Sequence, residues 1–139
     1  MTRLIFAALF SLALTCCSSP QAGNKQHYFI SNVKPVLQQH CLRCHNGTGP
    51  GLNLSTQATA FVPTVDGRRY LVPGDPDASL LIQAIQRNGT HPKMMPRDLL
   101  SLTEDQIGML REWIEDGAVW PSDKSGQLSH QPSGEHPAH

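Results

Sequence analysis

Apolar residues recur every three or four positions in three stretches of the chain. The first is Phe29, Ile30, Val33, Val36 and Leu37. That spacing lays one apolar stripe along a helix. Pro35 falls inside it and predicts a kink or a restart, because proline removes a backbone donor. The second stretch is Leu80, Leu81, Ala84 and Ile85, with Asp75 as the expected N-cap, Pro76 in the first turn and Gly89 as the stop. The third is Ile107, Leu110, Trp113 and Ile114. Thr103 and Gln106 have capping-box spacing ahead of it, Glu104 and Asp105 suit the positive end of its dipole, and Gly117 ends it. Residues 51–74 lack this period and are rich in Gly, Pro and Thr. They predict an irregular loop, with a short hairpin around Asp66–Gly67.

The two ends of the chain follow other patterns. Arg3 precedes an apolar run from Leu4 to Leu14 that is too short to span a bilayer. Residues 1–16 therefore predict a signal peptide. "LTCCSS" resembles the end of a bacterial lipoprotein signal, with Cys17 as the lipidated residue. Residues 17–26 then hold the lipidated cysteine and a polar tether. Residues 122–139 are polar, contain Pro and Gly, and predict a disordered tail carrying His130, His136 and His139. One domain, 27–121, lies between.

Eleven basic residues balance eleven acidic ones, so no broad basic face for nucleic acid is expected. Aromatic residues make up 6% of the chain, which leaves a thin core for a small domain and room for a cofactor to add apolar contact. Of four cysteines, Cys41 and Cys44 alone fall within 27–121. In an oxidising compartment such thiols are paired, ligated or modified.

Cys41, Cys44 and His45 spell C-x-x-C-H. Two thiols three residues apart lie on one side of a turn, and the next residue puts an imidazole on another. Covalent haem attachment uses this arrangement: both thiols add to the porphyrin vinyl groups and the imidazole reaches the iron. Three other readings compete. A redox dithiol opens a helix in a βαβ setting, whereas here a helix precedes the motif. A structural zinc site needs four ligands, and His27, His40 and His91 have no characteristic spacing. A Cys41–Cys44 disulfide would close a tight, strained loop. One covalent haem c is the favoured reading.

The second axial ligand is sought in residues 88–99. Met95, followed by the stiffening Pro96, is the preferred distal ligand, with Met94 and His91 as alternatives. Thioethers are soft ligands, and two successive methionines make a poor core pattern in a polar loop. Arg43, Arg68, Arg69, Lys93 and Arg97 are candidates to pair with haem propionates.

The stretches "FISNVKPVLQQHCLRCHNG", "GLNLS", "LVPGDPDASLLIQAI" and "MPRDLLSLTEDQIGMLREWIEDGAVWP" resemble the planctomycete-type cytochrome c domain, a monohaem module similar to class I cytochromes c. The resemblance spans nearly all of 27–121. It implies an all-α, cytochrome c-like domain around one haem, with Cys41 and Cys44 as thioether sites, His45 as proximal ligand and Met95 as distal ligand. The family often has Met-Pro-Pro where this chain has Arg97 in third place. Class I cytochromes hold the proximal imidazole with a proline carbonyl, and Pro50 is the candidate here. The first and last helices are expected to cross, through Phe29, Val33, Leu110, Trp113 and Ile114.

The expected function is single-electron transfer rather than catalysis. The protein would work in the periplasm or cell envelope, held to a membrane by lipid and meeting redox protein partners there. A haem-based sensor or a peroxidase-like haem enzyme is the alternative. Either would need an open or His-ligated distal site.

Overall fold

A computed structural model describes residues 20–86, 95 and 102–129. All regular structure among them is helical. The elements are α1 (Pro20–Tyr28), a π-helical turn (Phe29–Val33), α2 (Lys34–His40), α3 (Gln57–Ala60), α4 (Leu80–Ile85), α5 (Glu104–Glu115) and a 3-10 turn (Lys124–Gly126). The expected all-α class holds. None of these helices is long and apolar enough to cross a membrane.

The first apolar stripe behaves as the Pro35 rule requires. Proline has no N–H for the carbonyl four residues back, and its ring crowds that carbonyl. The helix widens just before it: the Lys34 N–H donates to Phe29 O, five residues back. α2 then restarts with Pro35 in its first turn. The π turn buries Phe29 and Val33, and α2 buries Val36 and Leu37.

α5 follows the capping box read from its sequence. Thr103 Oγ1 accepts from the Gln106 N–H at 3.2 Å, and Gln106 Oε1 accepts from the Thr103 N–H at 2.9 Å. Its stripe of Ile107, Leu110, Trp113 and Ile114 is buried. The first and last helices meet through aromatic rings. Phe29 lies 5.7 Å from Trp113 and 4.6 Å from Trp120, centroid to centroid. Among the described residues, Phe29, Phe61, Trp113 and Trp120 therefore form one aromatic cluster. Trp113 has a packing role, with its indole N–H donating to Val119 O at 3.0 Å.

Three expectations change. α4 starts at Leu80, not near Asp75. Asp75 Oδ1 instead closes a turn by accepting from the Ala78 N–H at 2.9 Å. The reason lies at Ser79, which is fully buried. Its hydroxyl donates to Asp75 O and accepts from the Val72 N–H, both at 2.9 Å, so it staples the preceding loop. Ser79→Ala strands the Val72 N–H and should cost about 1–3 kcal/mol in denaturant unfolding. Near-neutral behaviour would show that the loop relaxes to water.

The second change concerns the ends of the domain. α1 begins at Pro20, inside the stretch read as a tether, and Lys25 donates to Asp116 O at 2.8 Å. Residues 122–129 are held against the domain instead of forming part of a loose tail, and Leu128 is buried in the core. Their order comes from backbone carbonyls gripped by other elements, which leaves no apolar period to read. Third, residues 51–74 are not wholly irregular: α3 lies within them, capped by Thr56, and the stretch around Asp66–Gly67 closes as a tight turn, with Thr64 and Arg68 bonded and no strand flanking it. Gly89, residues 1–19 and residues 130–139 lie outside the described residues.

Candidate haem-attachment site

The C-x-x-C-H motif sits where α2 ends. The Cys41 N–H still donates to Leu37 O at 3.0 Å, and the Cys44 and His45 N–H groups both turn back to Cys41 O, at 3.2 and 3.0 Å. Leu42 is buried and anchors this turn to the core. Cys41 is half-buried, Cys44 is exposed, and both are free thiols. Burial pushes the Cys41 thiol up to about 12, and the neighbouring Cys44 adds to the rise. A disulfide-exchanging dithiol needs the opposite, a thiolate stabilised near neutral pH. Among the described residues no three of His, Cys, Asp and Glu come together as a metal cluster. The zinc reading gains no ligand set there.

His45 is half-buried and held from one side. Its Nδ1 lies 3.2 Å from Leu52 O. With the proton on Nδ1 the ring donates to that carbonyl, and Nε2 keeps its lone pair for a metal. The partner is Leu52, not Pro50, which is exposed. Gly47 and Gly51, at φ of +88° and +98°, turn the loop back on itself. Buried Leu52 and Leu54 then draw residues 52–54 onto the core beside His45, while Pro50 stays on the rim. A side chain at Gly47 would also meet the Asn53 amide at 2.6 Å. The Leu54 N–H donates to His45 O at 2.8 Å and closes the loop.

The structure contains the expected distal candidate as well. Met95 is half-buried and packs against the hydrophobic core, and its N–H donates to Ala84 O at 2.8 Å. Met94, His91, Lys93 and Arg97 lie outside the described residues. Of the other candidate propionate partners, Arg68 is engaged by Asp66 at 2.8 Å, Arg43 is exposed, and Arg69 is exposed. Hydrogen bonds from Thr64 and Arg68 hold the Asp66 carboxyl down at about 2. The Arg68–Asp66 pair thus belongs to the turn.

Residues 41–98 match the family model described as Planctomycete cytochrome C. Over these residues the chain is similar to the planctomycete-type cytochrome c family. The match opens on Cys41 and runs past Met95, so it includes both candidate haem-contacting regions. No curated protein and no solved structure matches the chain. A cytochrome c domain binds haem, and the residues present fit that group. There are two free thiols at the required spacing and an imidazole with Nδ1 committed to a carbonyl. A half-buried thioether lies in the same matched segment.

Leu52, whose carbonyl meets His45, is the residue of this site that the sequence does not single out. Its trace is visible in "GLNL": two leucines two apart, in a glycine-rich polar stretch, mark two residues turned inward. Ser55 was missed too. Its hydroxyl donates to Asn46 O at 3.1 Å, which ties the loop's exit to the residue after His45.

Proposed function

We propose that this cytochrome c domain is an exported single-electron carrier with one covalent haem ligated by histidine and methionine. Cys41 and Cys44 would hold the ring through thioethers, and His45 Nε2 and the Met95 thioether would hold its iron. The observation that carries the reading is the His45–Leu52 hydrogen bond, which sets the tautomer and orientation an iron-ligating imidazole needs. When bound, the haem supplies an iron that changes between ferric and ferrous states.

The chain's own residues prepare for that change. The core contacts and backbone bond of Met95 restrict its thioether. The Leu52 carbonyl makes His45 a stronger donor. Ligands held in place by the fold keep reorganisation small as the charge changes. With His45 and Met95 both holding the iron, the domain would carry electrons rather than bind and turn over a substrate at the metal.

Cys17 is the proposed lipid attachment site and the periplasmic face of a membrane the proposed location. Residues 18 and 19 separate Cys17 from α1. At about 3.5 Å per extended residue the domain would stay within roughly 10 Å of its anchor. Such tethering raises the encounter rate with redox proteins of the envelope, through small transient interfaces.

Carbon monoxide binding tests the ligation. The reduced wild-type protein is expected to bind it slowly or not at all. Met95→Ala opens the distal position, so its reduced form should bind carbon monoxide rapidly and its reduction potential should fall. Rapid binding by the wild-type protein would instead favour the open-site sensor or peroxidase-like enzyme, which peroxide turnover then separates.

A further inference from the structure

Past α5 the chain runs through Trp120 and the 3-10 turn to Ser129 and is gripped repeatedly. The Trp120 indole N–H donates to Gly126 O at 2.7 Å. Asp123 caps the turn by accepting from the Ser125 N–H at 2.9 Å. From α2, Lys34 donates to Ser125 O at 2.7 Å and Gln38 to Ser129 O at 2.6 Å. A side chain at Gly126 would collide with Pro121 O, so the segment closes on itself more tightly than any other residue allows.

This strap also touches the histidine loop. Leu128 is buried, and its N–H donates to Ser55 O at 2.9 Å. Ser55 is thus held by its carbonyl from the strap, while its hydroxyl holds Asn46 O. The residues between bond His45 twice, from the Leu54 N–H to its carbonyl and from its Nδ1 to Leu52 O.

We propose that the C-terminal strap, residues 119–129, positions the iron-ligating histidine: Leu128 holds Ser55, and Ser55 holds the loop that presents the Leu52 carbonyl to His45. Leu128 and Ser55 are positioning residues and touch no haem atom in this account. A carbonyl held firmly against Nδ1–H increases electron donation from Nε2 and favours ferric iron. Loosening the strap weakens that bond and raises the reduction potential. The proposal rests on His45 being the proximal ligand.

The test uses the full chain carrying Leu128→Ala, Leu128→Met or Ser55→Ala. Ile82→Ala, a fully buried position in α4 outside the strap and loop, is the control. Two quantities are read: amide hydrogen exchange at Leu54 compared with amides of α4, and the reduction potential. Leu128→Ala and Ser55→Ala should speed exchange at Leu54 by about tenfold or more beyond any change in α4, a local opening. Both should raise the potential, and Leu128→Met should restore it. Ile82→Ala should lower overall stability without speeding exchange at Leu54 beyond that in α4. A Leu128→Ala protein with covalent haem and an unchanged or lower potential overturns the proposal, as does exchange that rises equally in Leu54 and α4. Absence of covalent haem from the wild-type protein would sink the ligand reading instead. Leu54 exchange in that haem-free chain would still decide whether the strap holds the loop.

Discussion

Replacing Cys41 and Cys44 together by serine is expected to abolish covalent haem retention. A serine hydroxyl does not form the thioether bond that a cysteine sulfur makes with a vinyl group, so the double variant keeps only the axial bonds to iron. Those are lost when the protein unfolds. Wild-type protein, made in cells that attach haem c, should keep its haem through acid–acetone extraction and denaturing electrophoresis. Each single variant keeps one thioether and should retain haem at reduced yield. The motif turn itself should survive, because its bonds run through the backbone to Leu37 and Cys41 O and its anchor is Leu42. Haem that stays with the denatured double variant would place the attachment elsewhere.

Phe29→Ala should give the largest loss of stability of any single core change. The ring is fully buried and packs against both tryptophans. It lies in the π turn, where the chain widens ahead of Pro35, so it joins the helix leading to the haem motif to α5 and to the strap beyond. Phe-to-Ala changes in well-packed cores cost about 3–5 kcal/mol. A domain of this kind is stable by only about 5–15 kcal/mol in total. Urea unfolding of the purified chain should show a fall in midpoint corresponding to about 3 kcal/mol or more. Phe29→Leu should recover most of the loss. A loss below about 1 kcal/mol would mean the aromatic cluster does not join the first and last helices.

The parts of this fold that were legible in the sequence are those written in side chains. The Thr103–Gln106 box, the Pro35 restart and the apolar stripe of α5 each follow from local chemistry, and each appears where the pattern places it. The C-x-x-C-H spacing likewise identifies the motif without help from the rest of the chain. What escaped the reading depends on backbone groups and distant partners. Ser79 looks like any serine near a helix start until Val72 and Asp75 fold onto it. Pro50 and Leu52 sit two residues apart in one loop. The left-handed turn at Gly51 and the burial of Leu52 decide which carbonyl meets His45. Residues 122–129 are polar apart from Leu128, and the partners that order them, Lys34, Gln38 and Ser55, are remote in sequence.

Met95 divides along the same line. Met95 stands out in the sequence for its thioether and for the proline after it. The structure adds a half-buried side chain and a backbone bond to Ala84 O. Those contacts give the methionine a fixed place in the domain, which a ligand retained in both oxidation states requires.

The central claim is a haem c iron held between His45 and Met95. The most direct measurement is the visible spectrum of the oxidised protein, purified from cells able to attach haem c, recorded beside that of Met95→Ala. The account predicts a haem spectrum with the weak far-red band of sulfur-to-iron charge transfer, present in the wild-type protein and lost in the variant. A wild-type haem spectrum without that band would contradict methionine ligation and bring His91 or an open distal site forward. A band that survives in Met95→Ala would move the ligand to Met94.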